Sequence, residues 1–442
     1  MDPTTLETIW FLLICLLWIG YFVLEGFDFG VGALLRVVGR DRAERRMLMH
    51  SIGPFWDGNE VWLLVAGGAT FAAFPGWYAS LFSGAYLALF VILIALIARG
   101  VAFEFWGKHD TPRWRATWEW ALIVGSAVPA LLWGVAWANI VRGLPLDADH
   151  DMTGSFFDLL SPYALAGGAA SLLLFTLHGA IFLTLRTSGE VAERAGRVAA
   201  RLAAPALLVV AAFLAWTLAL QDGVEWFSAL LAAAAVVLGA TVPFLLRQSR
   251  SGWAFAVSAG TIAFAFCALF ADLWPNALPS TSSPANDLTL AAAASTPYTL
   301  KVMTVVAVLL VPVVLAYQGW TYWVFRARLG KADFEQVKSP VDLVAKVTGG
   351  TPGGVPALAG PAAAGGVAGA GVTAAAHDGS PGDGAAATSG AAAVGRSGVA
   401  GDGAAAASGA AAVGGAGAVG DGAAATSGRA TGASAGEPPA GS

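Results

Sequence analysis

Long apolar stretches alternate with short polar segments along most of this chain. The hydrocarbon core of a bilayer is about 30 Å thick and takes about 20 helical residues. Backbone groups in lipid must pair internally, and the stretches lack the alternation of a membrane β-barrel, so they are predicted as helices. The pattern predicts an all-α integral membrane bundle of about nine transmembrane helices. The predicted spans are residues 8–36, 51–73, 78–103, 118–141, 161–186, 202–220, 225–246, 253–274 and 299–326.

Basic residues follow every second predicted span. Connecting segments rich in Lys and Arg face the cytoplasm. The other segments are neutral or acidic, with Arg142 as their one basic residue. This alternation predicts an N-terminus outside and a C-terminus in the cytoplasm. The basic segments carry Arg36, Arg40, Arg42, Arg45 and Arg46, then Lys108, Arg113 and Arg115, then Arg194, Arg197 and Arg201, then Arg247 and Arg250, and finally Arg326, Arg328, Lys331 and Lys338.

The C-terminal part differs in composition from the rest. Residues 1–345 form the predicted bundle, and residues 346–442 consist mainly of Gly, Ala, Ser, Asp and Val. A 19-residue unit recurs there, as DGAAATSGAAAVGRSGVAG from Asp383 and DGAAAASGAAAVGGAGAVG from Asp402. Such a segment cannot bury enough apolar surface to offset the entropy of ordering. We therefore expect a disordered cytoplasmic tail.

Composition supports a membrane protein. Of 442 residues, 57% are hydrophobic and 12% are charged, against about 25% charged in an average soluble domain. Outside the short connecting segments there is no basic patch, which argues against a nucleic-acid partner. Cys15 and Cys267 lie in apolar stretches without the spacing of a metal site, so we interpret them as small buried hydrophobic residues.

Four carboxylates interrupt the first two apolar stretches. Glu25 and Asp28 lie in span one, and Asp57 and Glu60 open span two. An i, i+3 spacing puts each pair on one helical face, so the two faces can meet. A carboxylate inside a bilayer costs at least ~2.5 kcal/mol on insertion scales. A chain that keeps four at a similar depth is expected to use them to bind cations or to move protons.

The predicted orientation places these carboxylates in the cytoplasmic third of the membrane. Arg99, near the inner end of span three, is a predicted counter-ion that would keep a neighbouring carboxylate ionised. The alternative is that such a carboxylate reaches out to the headgroups. It applies to Glu104, Glu60, Asp28 and Asp57. His178 lies in the middle of span five, where a polar contact is expected, with haem ligation or a proton or quinone contact as alternatives.

Three segments together resemble subunit II of the cytochrome bd quinol oxidases. They are GYFVLEGFDFGVGALL at 20–35, ERRMLMHSIGPFWDGNEVWLLVAGGATFAAFP at 44–75 and TLKVMTVVAVLLVPVVLAYQGWTYW at 299–323. The resemblance extends over residues 5–340. It implies a multi-pass protein of the bacterial cytoplasmic membrane that is a subunit of a quinol:oxygen oxidoreductase, with no activity expected of the isolated chain.

The resemblance also implies partners and cofactors. The complex oxidises quinol and reduces dioxygen to water, and its haems (two of type b and one of type d) lie on the larger subunit I. Subunit II supports that subunit and in some members holds a structural quinone, and small accessory subunits can join. It supplies cytoplasmic protons to the haems, a role that falls on Asp57 first and then on Asp28 and Glu25, with Arg99 matching a family arginine. Some members have Asp where this chain has Glu25, which keeps the chemistry with a longer reach. Some have His where this chain has Phe55, which removes one protonatable side chain at the mouth of the route.

Two other classes of function stay open from the residues alone. The carboxylates would suit an ion-coupled secondary transporter, although the WDGNE segment at 56–60 has no counterpart later in the chain. The chain could also serve a purely structural role beside another membrane protein.

Overall fold

The computed structural model describes residues 3–220 and 226–335. The predicted tail, residues 346–442, lies outside the described residues. Within them the chain is almost entirely helical, which confirms the predicted fold class. The helices are α1 (Thr5–Ala33), α2 (Leu35–Val38), α3 (Arg42–Ile52), α4 (Trp56–Ala73), α5 (Pro75–Gly84), α6 (Tyr86–Phe105), α7 (Pro112–Arg142), α8 (Pro162–Arg186), α9 (Gly189–Leu220), α10 (Trp226–Arg247), α11 (Ser251–Leu273), α12 (Leu290–Ala293), α13 (Pro297–Val324) and α14 (Ala332–Glu335).

Eight of the described helices are long and apolar enough to cross a membrane: α1, α6, α7, α8, α9, α10, α11 and α13. They correspond to eight of the predicted spans. The second predicted span corresponds to α4, which has 18 residues but opens with Asp57, Asn59 and Glu60, so its hydropathy is lower. The protein is thus a multi-pass membrane protein, while the count of nine spans and their orientation stay predictions.

α1 is the central helix, and it packs against α4, α7, α8 and α11. Aromatic rings fill the space between them. Phe22 stacks on Phe266 with ring centroids 4.1 Å apart, and Trp18 meets Trp133 edge-on at 5.1 Å. Burial of such rings contributes much of the apolar packing of a core. α13, by contrast, is peripheral: Leu300 is buried, and most of its other side chains are exposed.

α3 occupies a segment that the hydropathy pattern left as a connection. Asp41 caps this helix by accepting a hydrogen bond from the Glu44 N–H at 2.9 Å. The helix is amphipathic and buries Met47, Leu48 and Ile52 against the bundle. A short amphipathic helix carries too few apolar residues for a transmembrane signal, so a search for long apolar stretches overlooks it.

The third predicted span, 78–103, is not one continuous helix. α5 ends at Gly84 and α6 begins at Tyr86, with Ala85 between them at φ −94° and ψ 15°. A Cβ atom at Gly84 would lie 2.8 Å from the Cβ of Met152, in the connection between α7 and α8. The break therefore lies where that connection packs against the bundle, a contact that local sequence does not reveal.

A small cap joins the ends of α7, α8 and α11. The strands β1 (Asn276–Leu278) and β2 (Leu288–Thr289) pair antiparallel, with Asn276 opposite Thr289. Asn286 donates to the Leu146 carbonyl at 2.9 Å and so ties this hairpin to the segment that follows α7. These two short strands are an addition to the predicted all-α architecture.

An ionic cluster ties the segment after α13 to α3 and α9. Glu44 is paired with Arg194, and both side chains are buried. The Lys331 ammonium lies 2.6 Å from Asp41 and 3.6 Å from Glu44. Burial raises the pKa of Glu44, but hydrogen bonds from Arg194 and the Arg40 N–H outweigh it and hold that pKa below its usual range. Burial likewise raises the pKa of Asp41, and the Lys331 hydrogen bond is the main influence that leaves it lowered.

We expect this cluster to loosen in acid. Carboxyl groups whose folded-state pKa is lowered stabilise the fold fully above about pH 4, and the contribution is lost as pH falls through the folded values. The protection of the amides of residues 327–334, which is the measured hydrogen exchange relative to the intrinsic rate at each pH, should therefore fall on acidification below about pH 4. Lys331→Met should show lowered protection already at neutral pH. Protection that stays constant down to about pH 3 would contradict this prediction.

Candidate functional site

A buried ion pair between α1 and α6 forms the centre of the site. Glu25 and Arg99 are fully buried, and Arg99 Nη2 contacts Glu25 Oε1. The counter-ion contact predicted for Arg99 is therefore present. The Arg99 guanidinium also lies over the ring of Phe29, 4.8 Å from its centroid. Gly125 on α7 leaves room for it, since a Cβ atom there would lie 2.8 Å from the Arg99 Cβ.

Asp28 is also fully buried, one helical turn after Glu25 on α1. Asp28 Oδ2 accepts a hydrogen bond from the Asn59 amide at 2.7 Å. The Asn59 amide nitrogen also reaches the Leu24 carbonyl at 3.3 Å. Asn59 is fully buried as well, so α1 and α4 meet through this amide. The prediction had two acidic faces meeting, whereas the direct hydrogen bond to Asp28 comes from the residue between Asp57 and Glu60.

α13 completes this network from the other side. The Tyr322 hydroxyl donates to Asn59 Oδ1 at 2.8 Å, and the Gln318 amide donates to the same oxygen at 3.1 Å. Sequence reasoning overlooked Asn59, Gln318 and Tyr322. The available signal was polarity: Asn59 lies within the WDGNE segment, and Gln318 follows a long apolar stretch.

Asp57 and Glu60 lie outside the buried centre. Asp57, in the first turn of α4, is exposed, and its Oδ1 accepts a hydrogen bond from the Gly58 N–H at 2.8 Å. Glu60 is partly buried, and its Oε2 has no hydrogen-bond partner among the described residues. Although the two are spaced i, i+3, they differ in burial. The four carboxylates therefore form a graded set, in which burial increases from Asp57 through Glu60 to Glu25 and Asp28.

A cavity of about 1210 Å³ opens beside the start of α4. Trp56, the residue before Asp57, lines it, together with Gly53 and Pro54 from the turn between α3 and α4. We call this cavity the Trp56 cavity. Glu104 also lines it, and the Glu104 side chain is exposed. That the Glu104 carboxylate reaches out to the headgroups stays a prediction.

A second buried carboxylate escaped the sequence analysis. Glu119, near the start of α7, accepts hydrogen bonds from Arg36 at 2.8 Å, Arg45 at 3.0 Å and the Trp106 indole at 3.3 Å. Two arginines and an indole donor satisfy the charge that burial would otherwise penalise. This cluster joins α2, α3, the end of α6 and α7, and Trp106 also lines the Trp56 cavity.

His178 is fully buried between α1 and α11. Its Nδ1 is 2.7 Å from the Ser258 hydroxyl and its Nε2 is 3.2 Å from the Val23 carbonyl. The expected polar contact is confirmed. Because both ring nitrogens are occupied, His178 does not fit the role of a haem ligand. Within residues 3–220 and 226–335 there is also no group of three or more His, Cys, Asp or Glu side chains arranged to hold a metal ion.

Comparison with known proteins gives a consistent family. Residues 6–325 match the family described as cytochrome bd terminal oxidase subunit II. Cytochrome bd ubiquinol oxidase subunit 2 of Bacillus subtilis (strain 168) is 40% identical over 328 residues, covering 74% of this chain and 97% of that protein. Cytochrome bd-I ubiquinol oxidase subunit 2 of Escherichia coli (strain K12) is 37% identical over 373 residues, covering 76% and 98%.

The fold agrees with these sequence relationships. A chain in the structure of bd oxidase from Geobacillus thermodenitrificans superposes with a TM-score of 0.61 and 19% identity, over 73% of this chain and 99% of that one. The transporter alternative is therefore not favoured. The chain belongs to the family of cytochrome bd terminal oxidase subunit II, and it is one subunit of a haem-containing quinol oxidase complex.

Proposed function

We propose that this chain conducts protons from the cytoplasm toward haems that its partner, subunit I, holds. The observation that carries the proposal is the graded set of carboxylates beside the Trp56 cavity. Asp57 is exposed next to a lining residue of that cavity, Glu60 is partly buried, and Glu25 and Asp28 are fully buried. Buried carboxylates within membrane helices are costly and are typical of proton relays.

The route begins at Asp57 and continues to the buried carboxylates. The Trp56 cavity lets water reach the start of α4, where Asp57 takes a proton. Glu60, one turn further along the same helix, leads toward Glu25 and Asp28. Arg99 keeps negative charge at Glu25 stable inside the bundle, because an opposite charge favours the ionised form of a carboxylate. Each carboxylate can then accept and release a proton in turn.

Subunit I is proposed to cover the exposed faces of α4, α6 and α13. Exposing a carboxylate such as Asp57 to hydrocarbon costs free energy, so a protein surface is a more favourable neighbour for it than lipid. On α4, Gly67 and Gly68 have nothing within 4 Å of an added Cβ atom, and small residues let a partner helix approach closely. Exposed Val and Leu side chains of α13, such as Val308 and Leu309, extend this surface.

The haems of type b and type d are proposed to lie on subunit I. His178 has both ring nitrogens in hydrogen bonds, and the other described histidines, His50, His109 and His150, lie outside the membrane-spanning helices. This chain then supplies protons and support, in the cytoplasmic membrane of a bacterium. A structural quinone and small accessory subunits stay predictions.

Asp57→Asn tests the proton route. In the purified two-subunit complex we expect quinol oxidation to fall by about 100-fold, because general acid–base groups contribute about 10²–10⁴-fold. The haem content should stay normal, as seen in the visible absorption bands. Glu193→Gln, which removes an exposed carboxylate on α9, is the matched control and should be fully active.

Two results would contradict the proposal in different ways. Full turnover of Asp57→Asn with normal haem content would remove Asp57 from the route. Loss of haem together with activity would instead indicate that the carboxylate serves assembly, which is the purely structural role.

A further inference from the structure

The orientation of the Asn59 amide is set by its neighbours. An asparagine amide donates from its nitrogen and accepts at its oxygen. On the α1 side its neighbours are the Asp28 carboxylate and the Leu24 carbonyl, which are both acceptors. On the α13 side they are the Tyr322 hydroxyl and the Gln318 amide, which both donate to Asn59. The nitrogen must therefore point to Asp28 and the oxygen to α13.

One of the two donors on α13, Tyr322, is itself held in place. Gln318 and Tyr322 are four residues apart and so lie on one face of the helix. The Tyr322 ring stacks on Phe55 with centroids 4.5 Å apart and planes within 4°. Phe55 is buried at the start of α4. The stacking of Phe55 on Tyr322 fixes the Tyr322 ring, and so it fixes the direction of the Tyr322 hydroxyl toward Asn59.

We propose that Asn59 is a positioning residue through which α13 keeps Asp28 a ready proton acceptor. The proposal rests on the proton route described above, and in it the peripheral helix α13 influences proton transfer along that route. While Tyr322 and Gln318 donate to Asn59 Oδ1, the amide nitrogen is kept as a donor to Asp28. A hydrogen bond to the charged form of a carboxylate favours that form.

Loss of both α13 donors would release the amide. Its oxygen could then turn toward Asp28, but only when that carboxyl group carries a proton to donate. Asp28 would therefore hold its proton to higher pH and release it more slowly. The charged groups that face Asp28 remain in such a variant: Glu25 on α1, Glu60 on α4 and Arg99 on α6. The Tyr322 phenol on α13, which also faces Asp28, is removed by Tyr322→Phe.

The test is the pH profile of quinol oxidation by the two-subunit complex. For the double variant Gln318→Leu/Tyr322→Phe we expect the alkaline limb to move up by about one pH unit and the maximal rate to fall. For Asn59→Leu we expect the alkaline limb to move up by about one to two pH units, which corresponds to the free energy of a hydrogen bond to a charged group. Thr321→Val is the matched control, since Thr321 donates to the Tyr317 carbonyl of its own helix.

The outcomes separate this inference from the proposed route. An unmoved alkaline limb in the double variant, with normal haem content, overturns the inference, even where Asp57→Asn abolishes turnover. A shifted limb with Asp57→Asn fully active supports the control of Asp28 and removes Asp57 from the route. Should Asn59→Leu fail to assemble, the double variant still decides, because neither of its residues contacts Asp28 directly.

Discussion

Replacing Arg99 by Met is expected to prevent assembly of a stable subunit. Arg99 and Glu25 are both fully buried and in contact. Removing one member of such a pair leaves an uncompensated charge inside the bundle, at a cost of about 3–5 kcal/mol. That is a large share of the about 5–15 kcal/mol by which folded domains are stable. Thermal unfolding of the detergent-solubilised complex, followed with the amount of complex in the membrane, would measure it.

A second substitution should restore much of this stability. In Glu25→Leu/Arg99→Met no buried charge of the pair is left, and a buried pair replaced as a whole by hydrophobic residues is often neutral in stability. The double variant should thus assemble while conducting protons poorly, which separates the structural contribution of the pair from its proposed role. Arg201→Met, at an exposed arginine on α9, is the control. Normal stability of Arg99→Met alone would contradict the prediction.

Gly179→Ala is expected to be similarly severe, for a steric reason. α1 and α8 cross in contact at Gly30 and Gly179. A Cβ atom at Gly179 would lie 2.5 Å from the Gly30 carbonyl carbon and from the Val31 nitrogen. These are backbone atoms, so a change of rotamer cannot relieve the overlap and the helices must move apart. Overpacking costs about 1–3 kcal/mol and occasionally more, and we expect the upper end here.

Gly196→Ala provides the comparison for that substitution. At Gly196 an added Cβ atom would meet Thr184 Cγ2 at 3.7 Å, which is an ordinary contact. Alanine also favours a helix over glycine by about 1 kcal/mol. This variant should therefore be as stable as the parent or more so in a thermal unfolding assay. Equal stability of Gly179→Ala and Gly196→Ala would show that the α1–α8 crossing tolerates separation.

Several features of the site followed from sequence. Glu25, Asp28 and Arg99 stood out because charge is rare in apolar stretches, and the structure places all three in the fully buried centre. The family resemblance favoured Asp57 first for the proton role, and the structure places it on the exposed surface of α4 rather than in that centre. An i, i+3 spacing says that two residues share a helical face, but not what that face meets. The neighbour of a helix face is a property of packing.

Asn59 shows the same limit. Sequence reasoning assigned it no role, while the structure makes it the link from Asp28 to Gln318 and Tyr322, which lie about 260 residues later. The hydrogen bonds come from three helices that are distant along the chain. A pattern of types and spacings within one helix carries no information on such contacts.

By itself, the sequence determined that this is a helical membrane protein, the positions of its long apolar helices and the family to which it belongs. It could do so because apolar length and local motifs are properties of contiguous residues. Only the tertiary structure decided that Arg99 pairs with Glu25, that Asn59 rather than Asp57 meets Asp28, and that α13 reaches the site through two side chains. These depend on how helices pack, and packing is set by side chains from several helices at once.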